Sequence, residues 1–241
     1  GVLFASSTVS TLQLHVGAGL VAVLLTVAHA LQRRVRPRRT DLSRRTFVRF
    51  AMLGSVAGVL AAGVQAAGGF AARPGVRRPT GSFQLASSSV AAIPATSWLF
   101  DHVPELDLAS WRLTVTTGGS SREWSLVDLA PWHDRQVAVL DCTGGWWTEQ
   151  EWSGVRVSSL LPPGARGTVE VTSATGYSRR LPLTDQLLLA TAVGGAELSP
   201  GHGAPARLVV PGRRGYHWVK WVVRIDHDDR PWWVEPPLPL Q

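Results

Sequence analysis

Cys142 is the single cysteine of this 241-residue chain, and it closes an apolar run, Val137-Ala-Val-Leu-Asp141, that opens at once into Thr143-Gly-Gly-Trp-Trp147. A thiol with no second cysteine cannot form an internal disulfide. Its chemistry is that of a soft metal ligand or a nucleophile, or else of a small buried hydrophobe. Two more groups with chemical potential sit near the N-terminus, His15 and His29, which are 14 residues apart in an apolar segment. On a helix they would share a face to within about 40° and lie about 21 Å apart along the axis. Ala18, Gly19, Ala22 and Thr26 lie between them on that face, so it has room for something flat.

The elements that must position these residues follow from charge and hydropathy. The chain carries 24 Lys+Arg against 17 Asp+Glu. Arg33, Arg34, Arg36, Arg38, Arg39, Arg44, Arg45 and Arg49, opposed only by Asp41, account for the whole excess of +7. The basicity is therefore one loop, and a nucleic-acid partner is not indicated. Two apolar segments flank it, about 11–31 and 50–72, each near the 20 residues of a membrane-spanning helix. Arginine between them places the loop in the cytoplasm, so the sequence predicts a membrane region over 1–72 with two transmembrane helices and everything later outside. Gly1 to Ser10 reads as a loop entering the first helix, with further helices expected upstream.

Ser43-Arg-Arg-Thr-Phe-Val-Arg49, followed by an Ala- and Gly-rich apolar stretch, resembles a twin-arginine export signal; the alternative is that these arginines only mark the cytoplasmic side. That route carries folded proteins, often already holding a cofactor. The spacing of His15 and His29 is similar to that in respiratory cytochrome b proteins, where one helix gives an axial ligand to each of two stacked b haems. The resemblance implies haem iron ligation, with partner ligands upstream or in another subunit. The open alternative is a pair of histidines at the membrane interface.

Residues 73–95 are rich in Ala, Gly, Ser, Pro and Arg and read as a linker. Beyond them, short alternating segments at 111–115, 137–140, 168–172, 187–190, 206–210 and 218–225 are separated by Gly118-Gly119, Thr175-Gly176, Gly194-Gly195 and Pro211-Gly212. Ser125-Leu-Val-Asp128 is a capped helix start, and Asp226-His-Asp-Asp229 reads as a solvated turn. Residues 96–241 are thus expected to form a mainly β, α+β domain.

Two blocks of this domain resemble the molybdopterin-binding oxidoreductases of the sulfite oxidase superfamily, above all the bacterial branch that includes the periplasmic methionine sulfoxide reductase catalytic subunit. One is Leu140-Asp-Cys-Thr-Gly-Gly-Trp-Trp147 with Trp152-Ser-Gly154. The other is Gly194-Gly195, Gly201-His-Gly-Ala-Pro-Ala-Arg-Leu208 and Trp218-Val-Lys220. The resemblance implies the sulfite oxidase molybdopterin-binding fold and a Mo-molybdopterin cofactor with Cys142 as its molybdenum ligand. It gives Arg207 and His202, with Trp218, Val219 and Lys220, as cofactor contacts. His202 stands where the reductase branch has asparagine. Gly144-Gly145-Trp146 replaces the arginine pair that follows the cysteine in sulfite oxidases, which puts sulfite in doubt as a substrate. Ser173 or Thr175 is the counterpart of a further threonine contact.

The sequence therefore leads to a membrane-anchored molybdenum oxidoreductase whose catalytic domain is extracytoplasmic. It would transfer an oxygen atom to or from a small sulfoxide-like or sulfite-like substrate, with electrons passing through a haem or quinone partner. The competing readings are a non-enzymatic binding or sensor module on a degenerate scaffold, and a cytochrome-type electron carrier.

Overall fold

The computed structural model describes residues 11–33, 43–70, 77–85, 90–97 and 101–235. The chain divides into two units, Gly1–Pro74 and Gly75–Gln241. The first holds two helices, α1 (Thr11–Gln32) and α2 (Arg44–Phe70). Among the described residues, no helix is long and apolar enough to cross a membrane, and this overturns the expected pair of transmembrane helices. In α1 the Leu and Val run from Leu20 to Leu25 is bracketed by Thr11, Gln13 and His15 on one side and by Thr26, His29 and Gln32 on the other. α2 opens on Arg44, Arg45 and Arg49 and continues mainly through Ala and Gly, whose small area gains little by leaving water. The hydroxyls of Thr26 and Ser55 each donate to the carbonyl four residues back, at 2.7 and 2.8 Å.

The second unit is built from two sheets. The first contains β1 (Phe83–Gln84), β4 (Asp134–Asp141), β5 (Trp146–Arg156), β8 (Leu188–Val193), β9 (Ala196–Glu197) and β10 (Arg207–Val209). The second runs in the order β3 (Ser120–Trp124), β2 (Leu113–Thr117), β11 (Val222–Asp228), β6 (Thr168–Ser173), β7 (Ser178–Pro182). Both contribute to one core. Leu113, Val169, Val171 and Ile225 of the second sheet and Val155, Leu188, Leu189 and Leu208 of the first are essentially inaccessible. Each such side chain is worth about 1.5–3 kcal/mol of transfer free energy. The mainly β, α+β expectation for this part of the chain matches the architecture.

Three local features set the frame of the site. β5 is the hub of its sheet, pairing with β4 along its length, with β1 at Trp146 and Trp147, and with β8 from Trp152 onward. At the β5–β8 crossing the register shifts beside Gly154, where an added Cβ would sit 2.1 Å from the carbonyl oxygen of Leu189, so only glycine fits. Residues 77–85, which read as linker in the sequence, are ordered against this hub through β1.

β11 starts and ends later than the alternation suggests. Residues Gly215–His217 form a 3-10 turn, and Trp221 adopts φ +52°, a left-handed conformation unusual for a bulky residue. Its indole N–H donates to Pro200 O at 2.7 Å and its backbone N–H to Gly203 O at 3.3 Å, which pulls the chain off the ladder. At the other end the stretch expected as a solvated turn continues the strand. His227 bonds through its ring to Thr117 Oγ1 (2.9 Å) and Arg166 O (2.7 Å), and Asp228 pairs with Arg180. The four-residue helix α3 (Leu126–Leu129) begins as the sequence indicates, with Ser125 and Asp128 forming a reciprocal capping box.

Candidate active site

β4 delivers Cys142 into a tight turn. Its N–H donates to Trp146 O at 2.9 Å, and Gly145, at φ +87°, donates back to Cys142 O at 3.2 Å. The turn aims the Gly144 N–H at the Cys142 sulfur, 3.3 Å away. A Cβ on Gly215 would lie 3.2 Å from Cys142 Cα, so glycine there lets the Arg214–Trp218 segment close on the cysteine. Cys142 is 8% exposed, and it lines a cleft of about 670 Å³, open mouth included.

The opposite side of the cleft is cationic. Arg207 opens β10, is buried, and lies against the rings of Trp152 and Trp218, with its guanidinium carbon 5.2 and 5.8 Å from their centroids. One Nη donates to His202 O at 3.1 Å, while its buried Nε has no hydrogen-bond partner. Burial pushes its pKa down to about 10, the Cys142 thiol acting weakly the other way. Lys220 Nζ donates to Thr96 O and Gly201 O, both at 3.1 Å, and to Ser97 Oγ at 3.3 Å, all of them neutral acceptors. Burial first, then the Arg207 charge, brings it down to about 8. Gly203, at φ +106°, packs so closely on Arg207 and Lys220 that a Cβ would stand 3.0 and 3.1 Å from theirs.

His202 is held as a neutral imidazole. Its Nε2–H donates to Ile93 O at 2.8 Å, leaving Nδ1 to accept from Ser199 Oγ at 2.7 Å, and burial keeps its pKa below the ordinary histidine value. Trp218 lines the cleft and anchors its indole N–H on Arg213 O at 3.2 Å. Val219 is buried behind it, its carbonyl accepting the Leu208 N–H at 2.8 Å, which ties the Trp218–Lys220 segment to β10.

The structure thus brings Cys142, His202, Arg207, Trp218 and Lys220 to one cleft, with Val219 as backing. Ser173 lines it too, its hydroxyl bonded to Thr175 at 3.0 Å. His29 lies in α1 of the other unit, and the side chain of His15 is outside the described residues. Among the described residues no cluster of three or more His, Cys, Asp or Glu could hold a metal. Sequence reasoning missed Tyr177 and Tyr216, which line the cleft together, the Tyr177 hydroxyl donating to Tyr216 O and burial pushing that phenol up. The Thr175-Gly-Tyr177 turn was the available signal.

A buried guanidinium and a half-buried ammonium whose hydrogen-bond partners are neutral are costly unless an anion joins them. The unpartnered Nε of Arg207 points to the same deficit. With a soft thiol across the cleft, the donor set fits a group that is metallic at one end and phosphorylated at the other.

A fold of two such sheets around a thiol-and-guanidinium cleft is that of an oxidoreductase domain built to hold a pterin-bound metal. The family model agrees. Residues 100–233 match the family model described as "Oxidoreductase molybdopterin binding domain", and the chain belongs to that family. It is 29% identical over 163 residues to mitochondrial sulfite oxidase of Rattus norvegicus, covering 51% of this chain and 30% of that protein. It is 52% identical over 44 residues to nitrate reductase [NADPH] of Mycosarcoma maydis, covering 18% of this chain and 4% of that one. Among solved structures, the sulfane dehydrogenase SoxCD of Paracoccus pantotrophus matches with TM-score 0.49 and 26% identity, over 53% of this chain and 40% of that one. The chain spans about a third of the length of the sulfite oxidases it matches.

Proposed function

We propose that this domain catalyses oxygen-atom transfer on a small sulfur-containing substrate, sulfoxide-like or sulfite-like. The observation that carries the reading is the pairing, across one cleft, of the chain's single thiol with a buried Arg207 and a half-buried Lys220 whose hydrogen bonds go only to neutral acceptors. Molybdenum held by molybdopterin supplies, when bound, the two-electron chemistry by which an oxygen atom is given or taken. Cys142 would ligate the metal as thiolate, a soft donor matched to it. Arg207 and Lys220 would hold the phosphate end, with His202 and the Trp218–Lys220 backbone fixing the loops that present them. Trp146, Tyr177 and Tyr216 line the cleft with aromatic surface.

The similarity to sulfite oxidases supports sulfur chemistry. Gly144-Gly145-Trp146, which supplies no charge beside the thiol, supports placing the chain with the bacterial reductase-like branch. A two-electron reaction needs a redox partner, which we assign to a haem- or quinone-bearing protein. His15 and His29 take no part in this reading, because their assignment to haem rested on a bilayer-spanning α1. The Arg44-Arg45 pair supports an extracytoplasmic location for the catalytic domain.

Metal analysis of the purified chain should give close to one molybdenum per molecule. Cys142→Ser should abolish oxygen-atom transfer while circular dichroism shows an unchanged fold. A Cys142→Ser protein with wild-type turnover would overturn the assignment.

A further inference from the structure

A carboxylate that plays no part in this chemistry lies directly behind the thiol. Asp141, the last residue of β4, is 5% exposed, and four side chains converge on it. Ser82 Oγ donates to Oδ1 at 2.7 Å and Thr80 Oγ1 to Oδ2 at 2.8 Å, while Arg78 Nε reaches Oδ2 at 3.2 Å and Arg214 Nη1 reaches Oδ1 at 3.4 Å. Three of the four come from one loop, Arg78-Pro79-Thr80-Gly81-Ser82. Its Arg78 N–H donates to Ser82 O at 3.0 Å and its Gly81 N–H, at φ +87°, to Arg78 O at 2.8 Å. The fourth comes from the segment that leads to Trp218.

Two of these partners reach one residue further. Ser82 Oγ and Arg214 Nη2 each lie 3.3 Å from the carbonyl oxygen of Cys142, which also accepts the Gly145 N–H at 3.2 Å. Two N–H donors hold this carbonyl, and the single Ser82 hydroxyl proton, given mainly to Asp141 Oδ1, leaves it a longer secondary contact. The Gly145 N–H on that carbonyl closes the 142–145 turn, and within the turn the Gly144 N–H points at Sγ. The carboxylate orients Ser82 and Arg214, and through them the carbonyl. Residues 78–82 precede the 100–233 stretch that matches the family model, whereas Asp141 and Arg214 lie within it.

We propose that Asp141 is a positioning residue that, with the 78–82 loop and Arg214, fixes the direction of the Cys142 sulfur. The proposal rests on the reading of Cys142 as a metal ligand only for what that sulfur holds. Groups that orient a metal's ligands through hydrogen bonds typically cost about 10–100-fold in affinity or activity when lost.

The test is Asp141→Asn in the full chain, which keeps the shape and removes the charge. Because Cys142 is the only cysteine, the rate at which the cofactor-free protein reacts with a chromogenic disulfide reagent reports this one sulfur. The electron paramagnetic resonance spectrum of the metal-loaded protein reports it from the other side. The variant should react severalfold faster, show a shifted spectrum, and lose about ten- to a hundredfold in turnover. Asp228→Asn breaks a comparable ion pair with Arg180 in the other sheet, and should lower the melting temperature without moving either sulfur readout. Thr80→Val should reproduce part of the effect and Thr80→Ser, which keeps the donor, should reverse it; that pair decides the matter should Asp141→Asn not fold. Unchanged thiol kinetics and spectrum in Asp141→Asn, or equal changes in Asp228→Asn, would overturn the proposal. A chain that holds no molybdenum would sink the functional reading, while the thiol kinetics would still decide the role of Asp141.

Discussion

Lys220 gives the cleft a measurable dependence on pH. In the folded chain its ammonium lies near Arg207 among neutral acceptors, and its pKa falls from 10.5 to about 8. A displacement of that size corresponds to about 3 kcal/mol of differential free energy between the charged and neutral forms. Below about pH 8 both the folded and unfolded chains carry the proton, and the folded chain bears the full cost. Between about 8 and 10.5 the folded chain releases its proton first, the unfolded chain binds more, and stability rises with pH. From pH 7 to 9.5 the relief comes to about 2 kcal/mol, which for a chain of this size is a rise of about 4–8 °C in melting temperature. Other groups titrate over the same range, so the quantity to read is the difference between wild type and Lys220→Met, both cofactor-free, melted at pH 7 and 9.5. The wild type should gain on the variant as pH rises. Bound cofactor should remove the gain, because a phosphate beside the ammonium would keep it charged. A wild-type-minus-variant difference that is flat, or that falls with pH, would refute the placement of a cation whose burial and Arg207 neighbour outweigh Asp101.

Gly154→Ala should cost most or all of the folded population, because its Cβ would have to occupy space 2.1 Å from the Leu189 carbonyl at the β5–β8 crossing; a cooperative melt near the wild-type temperature would count against that packing. Replacing Arg44 and Arg45 by lysine should leave the catalytic domain in the cytoplasm, since lysine is a poor mimic of a guanidinium pair. Normal accessibility of that variant to added protease would reduce the pair to an ordinary basic patch.

The β segments were legible because their alternation is a local signal, and the glycines at 118, 119, 176, 194, 195 and 212 all take the positive φ their turns require. The helices of the first unit misled for a physical reason: a run without charges is not the same as a run with enough apolar area, and Ala and Gly in α2 supply little. Cys142, Arg207 and Lys220 could be singled out because each is rare or conspicuous in its surroundings. Their convergence was not legible from spacing, since it depends on Trp221 leaving the ladder and on Gly203 allowing two cations to pack together. The Asp141 cluster was hidden for another reason. Three of its four partners lie about sixty residues upstream in a stretch whose composition reads as linker, and only the Pro-Thr-Gly turn hinted at order there.

The parallel pairing of β2 with β11 carries a consequence in time. A ribosome releases residues in order, yet β11 completes the second sheet across a span in which Thr117 meets His227, 110 residues later. Lys220, bonded to Thr96 across 124 residues, arrives almost as late. Contacts so distant in sequence form slowly, because the loop between them must close before anything is gained. The thiol therefore stays uncovered until the segment around Arg207 and Lys220 has been made. Residues 201–220 complete the cleft, so a group held between Cys142 and Lys220 finds its full set of contacts only once they are in place.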